Sequence, residues 1–108
     1  VLTEMLATYP NLYIALKNCH SDTDGDDACY LDSAGVIKPE WTTLLTTYST
    51  RFMVGLDAKF WETRGGVSYT VAETFTHYTS DLVTLMPQLS RAVRQQLKYQ
   101  TAATVFGL

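Results

Sequence analysis

The sequence lacks most of the features that identify common classes of enzyme and binding protein. No apolar run approaches the ~20 residues that a membrane-spanning helix needs, so we expect no transmembrane segment. The chain also lacks the C-x-x-C spacing of zinc and redox sites, a glycine-rich phosphate-binding loop and the G-x-S-x-G elbow of serine hydrolases. With 46% hydrophobic and 18% charged residues, the 108-residue chain has a globular composition, and we predict a single domain over residues 1–108.

The only two cysteines, Cys19 and Cys29, flank the most acidic stretch of the chain. Five of the eleven acidic residues lie between positions 22 and 32: Asp22, Asp24, Asp26, Asp27 and Asp32. A disulfide closing this short loop would stabilise the fold by about 2.7 kcal/mol in the loop-entropy model, and we predict that it forms. Disulfides persist in oxidising compartments. Together with a start at Val1 that carries no leader sequence, the pair predicts a secreted or otherwise exported protein.

The alternation of Asp22, Asp24 and Asp26 raises the alternative of a calcium site, because calcium prefers about six to eight oxygen ligands. In the EF-hand pattern that starts at Asp22, however, Asp27 stands where glycine is required and Ser33 where the closing glutamate belongs. Aspartate and glycine also favour ordinary turns. We therefore expect a solvated loop closed by the disulfide and no cofactor, with calcium as the alternative.

Apolar residues recur at helical intervals through most of the chain. The segments with this spacing are 2–19 (interrupted at Pro10), 39–60, 71–86 and 87–98. Arg64-Gly65-Gly66 predicts the end of the second helix, and the capping-box pair Thr70 and Glu73 predicts the start of the third. We therefore predict an all-α fold, a single-domain bundle of four or five helices with one long disulfide-stapled acidic loop. The exception is segment 66–71, where apolar residues alternate in a way that also suits a short strand.

The third predicted helix carries an apolar stripe and, opposite it, a column of ionisable residues. We expect the stripe to face the core; its members are Val71, Phe75, Tyr78, Leu82, Leu85 and Met86. Glu73, His77 and Asp81 follow one another four positions apart. Such a column suits a metal site or an acid–base pair, and His77 with Glu73 or Asp81 is the candidate centre of a small hydrolase. Because a functional centre usually needs burial, the favoured interpretation is a solvated helix face.

The last predicted helix carries a basic strip formed by Arg91, Arg94 and Lys98. Three cations in a protein of net charge −3 are too few for a nucleic-acid surface, so we expect no nucleic-acid partner. The strip suits an acidic protein surface instead. That surface could belong to a different partner, to a partner chain that completes the protein, or to the 22–27 loop of a second copy.

These observations favour a small secreted helical interaction protein that acts by binding a macromolecular partner, of the effector, toxin or assembly-subunit type. Seven tyrosines and two tryptophans support this prediction, because aromatic side chains commonly anchor interfaces. Two alternatives stay open: a calcium-binding or small-molecule-binding module, and a small hydrolase using His77. An enzyme is the less favoured class, since no catalytic motif accompanies the histidine.

Overall fold

The computed structural model describes residues 1–19, 29–55 and 62–108. The helices are α1 (Leu2–Thr8), α2 (Pro39–Thr47), α3 (Val71–Leu85), α4 (Arg91–Gln95) and α5 (Thr101–Phe106), with a π-helical turn at Gln96–Gln100 between the last two. The strands are β1 (Ile14–Leu16), β2 (Phe52–Val54), β3 (Glu62–Arg64) and β4 (Val67–Tyr69). Short 3-10 turns lie at Ser49–Arg51 and Met86–Gln88. The predicted all-α bundle of four or five helices is therefore wrong, because strands pair in two places.

The first pairing is parallel and joins β1 to β2, with Ile14 opposite Phe52 and Leu16 opposite Val54. The ladder continues one residue further, where the Gly55 N–H donates to the Leu16 carbonyl over 2.8 Å. A β-carbon at position 55 would stand 2.8 Å from the Ala15 β-carbon, so glycine is required for the chains to approach this closely. Segment 2–19 was predicted as an interrupted helix, and its second half instead contains the three-residue strand β1.

The second predicted helix begins at Pro39 as expected but ends at Thr47, well before Phe60. Its last turn contains two β-branched threonines, which lose side-chain freedom in a helix, and Tyr48 leaves helical geometry at φ −116° and ψ 34°. Arg51 then fixes the turn into β2: its guanidinium donates to the Leu12 carbonyl over 2.6 Å and to the Tyr9 carbonyl. Long-range pairing with β1 thus replaces the helix that local periodicity favours.

The second pairing is an antiparallel hairpin in which Arg64 lies opposite Val67. Gly65 and Gly66 form its turn with φ values of 55° and 79°. Two successive positive φ angles belong to the tight turns that connect hairpin strands, and glycine adopts them without strain. The two glycines therefore connect strands and do not end a helix. The strand at 67–69 agrees with the alternation noted in segment 66–71.

Helix α3 starts with the predicted capping box. The Thr70 hydroxyl accepts from the Glu73 N–H over 3.2 Å, and the Glu73 carboxylate accepts from the Thr70 N–H over 2.7 Å. The buried face differs from the predicted stripe: Leu82 and Leu85 are buried, but Val71 and Phe75 are 60% and 54% exposed. The helix is therefore turned so that part of its apolar stripe faces solvent.

The core lies where α2, α3 and α4 meet the parallel strand pair. Its buried apolar members are Leu6, Leu16, Cys29, Tyr30, Leu31, Leu44, Leu45, Phe52, Leu82, Leu85, Leu89, Val93 and Leu97. The ring of Trp41 meets those of Tyr30 and Phe52 edge-on, with centroids 6.1 and 6.5 Å apart. These contacts join the segment after Cys29 to β2, which places the disulfide beside the core.

Candidate functional site

The predicted disulfide between Cys19 and Cys29 is confirmed, with the two α-carbons 5.2 Å apart. Cys29 is buried and Cys19 is half-buried, so the bond lies against the protein body. The two sulfur atoms and the Asp81 carboxylate lie within 4.8 Å of one another, a spacing that a metal ion could span. Both sulfurs are consumed by the disulfide, however, so this cluster offers no thiolate to a metal.

Most of the acidic stretch lies outside the described residues, and so do the candidate calcium ligands Asp22, Asp24 and Asp26. The calcium site therefore stays a prediction. Asp32 is described, and its carboxylate accepts the N–H groups of Ala34 and Val36, both over 2.9 Å. This aspartate forms a turn by bonding to nearby backbone, which is the ordinary role of the residue in loops.

Asn18 connects the segment before the disulfide to the middle of α3. Its side-chain amide donates to the His77 carbonyl over 2.8 Å and to the Ser80 hydroxyl over 3.2 Å, while its carbonyl oxygen accepts from the Asp81 N–H over 2.7 Å. The His77 carbonyl and the Asp81 N–H stand four residues apart, the spacing of backbone partners in a regular helix. The buried Asn18 side-chain amide bridges these two groups, because it donates to one and accepts from the other as a backbone peptide group does.

Asp81 makes the neighbouring connection. Its carboxylate accepts from the Cys19 N–H over 3.1 Å, and the side chain is buried beside the disulfide. Tyr30 contacts the same segment from the other side: its hydroxyl donates to the Lys17 carbonyl over 3.1 Å. Burial raises the pKa of the Tyr30 phenol well above its usual value, and the nearby charge of Asp81 raises it further. Segment 17–19 is thus held by α3 on one side and by Tyr30 on the other.

The predicted column on α3 is therefore divided between different environments. Glu73 is fully exposed, and its bonds to the Thr70 backbone and hydroxyl lower the pKa of its carboxyl group. His77 is half-buried, with its ring edge-on to Tyr78 at 5.3 Å, whereas Asp81 is buried against Cys19. Glu73 and His77 do share a shallow concavity of about 430 Å³ with Tyr69, but Asp81 does not line it. The expectation of one solvated face fails at Asp81.

An open apolar groove lies on the other side of α3. It has a volume of about 370 Å³ and is lined by Val54, Phe75, Thr79, Leu82, Val83, Met86 and Lys98. Phe75 and Val83 are 54% and 66% exposed, unusually high values for large apolar side chains two turns apart on one helix. We name this feature the α3 groove. It exists because α3 presents part of its apolar stripe to solvent, beside β2 and the π turn.

The three residues of the predicted basic strip also lie in different environments. Arg91 is exposed and Arg94 half-buried on α4, and neither lines the α3 groove, whereas Lys98 does. Lys98 lies in the π turn, whose wider spacing changes the direction of the side chains that follow relative to an α-helix. The sequence identified Lys98 as a surface cation but gave no sign that it stands beside an apolar groove.

No family model matches this chain, and neither the curated proteins nor the solved structures contain a match. Among the helices of the described segments, none is long and apolar enough to cross a membrane.

Proposed function

We propose that this protein is an exported binding protein that holds a macromolecular partner in the α3 groove. The observation that carries the proposal is the exposure of two large apolar side chains that line the groove from one helix, namely Phe75 and Val83. Contiguous exposed apolar surface is uncommon on monomeric proteins and is typical of interaction sites. Burying one such side chain contributes about 1.5–3 kcal/mol, so a partner that covers both of them gains substantial affinity.

The groove is better suited to a macromolecule than to a small molecule. It is open along one side, whereas small-molecule sites enclose most of the surface of their ligand. Phe75 stands at this opening as a rigid aromatic side chain, the type that most often dominates the binding energy of protein interfaces. A partner could therefore lie along α3 and cover Phe75 and Val83 together.

Two further features support the proposal. The disulfide is the bond expected of a protein that works in an oxidising compartment, which supports export. The hydrolase alternative has less support, because the Glu73 carboxylate bonds to the helix start and the Asp81 carboxylate to the Cys19 backbone. Glu73 and His77 line one concavity, but Asp81 does not line it.

The test compares affinity capture by three forms of the protein, using medium from cells that secrete it as the source of partners. In the first variant, Phe75→Ser is combined with Val83→Ser; the matched control is Val36→Ser, which replaces a side chain 52% exposed outside the groove. We expect all three forms to unfold at similar temperatures, since the replaced groups are exposed. A partner retained by the wild type and the control but lost by the double variant supports the proposal. Equal retention by all three contradicts it.

A further inference from the structure

Among the described residues that line the α3 groove, Lys98 is the only charged one, and its chemistry constrains the partner. The other described lining residues are apolar except for Thr79. No carboxylate of the described residues lies within ion-pair distance of the Lys98 ammonium, since the one ion pair between two described residues joins the N-terminus to Glu4. Lys98 thus offers an exposed positive charge at the edge of an apolar surface.

We infer that the segment docking in the α3 groove is an amphipathic helix of a partner protein that carries a carboxylate opposite Lys98. This inference rests on the proposed function and specifies the chemistry of the partner. The apolar side chains of that helix cover Phe75 and Val83, and an aspartate or glutamate next to them pairs with the ammonium. The sign of the partner's charge follows from charge complementarity, because a lysine or arginine at that position would meet the like charge of Lys98.

The dimensions of the surface agree with a helical segment. Phe75 and Val83 are eight positions apart on α3, and a rise of 1.5 Å per residue places them about 12 Å apart along the helix axis. Apolar residues at i and i+7 of an antiparallel or parallel helix lie at nearly the same separation, about 10.5 Å. Helices that bind in apolar grooves use this spacing of anchor residues.

The charge of Lys98 should affect the choice among partner segments more than the overall binding affinity. An ion pair at an exposed surface is worth about 0.2–1 kcal/mol, which corresponds to a change in Kd of up to about fivefold. We therefore expect a helical peptide with glutamate at the paired position to bind the wild type up to about fivefold more tightly than the same peptide with glutamine. Reversal of charge at Lys98 should reverse the order of glutamate and lysine peptides.

A displayed library of 16-residue random peptides provides the test, because it requires no knowledge of the natural partner. Selection uses four disulfide-intact proteins: the wild type, Lys98→Glu, Phe75→Ser and Arg91→Glu. Arg91→Glu is the matched control, since it reverses an exposed cation near Lys98 in sequence that does not line the groove. Circular dichroism and thermal unfolding first establish that each variant has the wild-type fold.

Peptides that depend on Phe75 and carry large apolar residues with an adjacent acidic residue are the expected product of selection on the wild type and on Arg91→Glu. Selection on Lys98→Glu should yield lysine or arginine at the acidic position. If Phe75-dependent peptides show no charge preference, the inference about Lys98 is wrong while the proposed function stands. If no selected peptide depends on Phe75, or if only sodium dodecanoate binds there in a parallel titration, both are wrong.

Discussion

Replacing Asn18 by alanine should destabilise the protein more than any other change of a single uncharged polar side chain near the disulfide. The asparagine is 5% exposed and makes three hydrogen bonds to α3, of 2.7, 2.8 and 3.2 Å. Alanine retains the β-carbon but removes the side-chain amide, and with it all three hydrogen bonds. The Asp81 N–H and the His77 carbonyl then lose the amide that bridges them in a region where Asp81 is buried.

The expected loss follows from the number and burial of these bonds. Each hydrogen bond contributes about 0.5–1.5 kcal/mol net, so three contribute on the order of 3 kcal/mol to the free energy of unfolding. For a chain of this length, 1 kcal/mol corresponds to about 4 °C in melting temperature, and Asn18→Ala should therefore lower it by about 12 °C. Asn18→Asp should also destabilise at neutral pH, because it removes the donor to His77 and sets a second carboxylate beside Asp81.

Chemical unfolding followed by circular dichroism, with the disulfide intact, measures these losses. The control is Asn11→Ala, which truncates the same side chain at an exposed position and should change stability by less than 0.5 kcal/mol. The deficit of Asn18→Asp relative to wild type should shrink as the pH falls from neutral toward about 4, because the folded protein binds a proton at the crowded carboxylate before the unfolded chain does. If Asn18→Ala unfolds within 0.5 kcal/mol of the wild type, the asparagine does not hold segment 17–19 to α3 and the reasoning is refuted.

Further predictions concern buried polar groups and one close approach of the backbone. Thr74→Val should stabilise the fold by about 1 kcal/mol in thermal unfolding, because the buried Thr74 hydroxyl has no hydrogen-bond partner in the described structure; Thr101→Val should destabilise it, since that hydroxyl donates to the Ser49 carbonyl over 3.2 Å. Equal signs for the two threonines would contradict this account. Stability should fall as pH rises above about 10, because the unfolded chain then releases the Tyr30 proton that the folded chain retains; Tyr30→Phe should weaken that alkaline loss in pH-dependent unfolding. Gly55→Ala should destabilise through contact with Ala15, and adding Ala15→Gly should restore part of the loss; no recovery in the double variant would disprove the contact.

The sequence was sufficient for features that depend on neighbouring residues. The capping box of Thr70 and Glu73, the start of α2 at Pro39 and the disulfide were all predicted, and all are confirmed. Each depends on residues within about ten positions of one another, so local chemistry decides the outcome. The strand at 67–69 was recognised as an alternative for the same reason.

The errors arose where distant contacts override local preference. Ile14–Leu16 and Phe52–Val54 are only three residues each, too short to display strand alternation, and each is stabilised by the other. Helical spacing from Pro39 to Phe60 therefore predicted a helix through residues that form β2. Pairing of this kind cannot be identified from periodicity within a single segment.

The candidate site was predicted in part for a related reason. Asp81 belongs to a helical column whose periodicity predicts a solvated face, but the contacts with Asn18 and Cys19 bury it. Nothing local distinguishes Asn18 from an ordinary loop asparagine. The α3 groove was missed because Phe75 belongs to the apolar stripe that was assigned to the core. Only the structure shows that Phe75 is exposed and that Val83, which was not part of the stripe, lines the same groove.

The parallel pairing of β1 with β2 also affects how the chain reaches its fold. Segment 17–51 must be brought round as a loop before the two strands meet, and the entropy of that closure is lost before the contacts form. Chains with such non-local contacts fold more slowly than helical bundles of the same size. Strand β2 also packs against the π turn and α5, so its own support comes from the last part of the chain. The parallel strand pair therefore gains its full packing only when the last part of the chain has joined it.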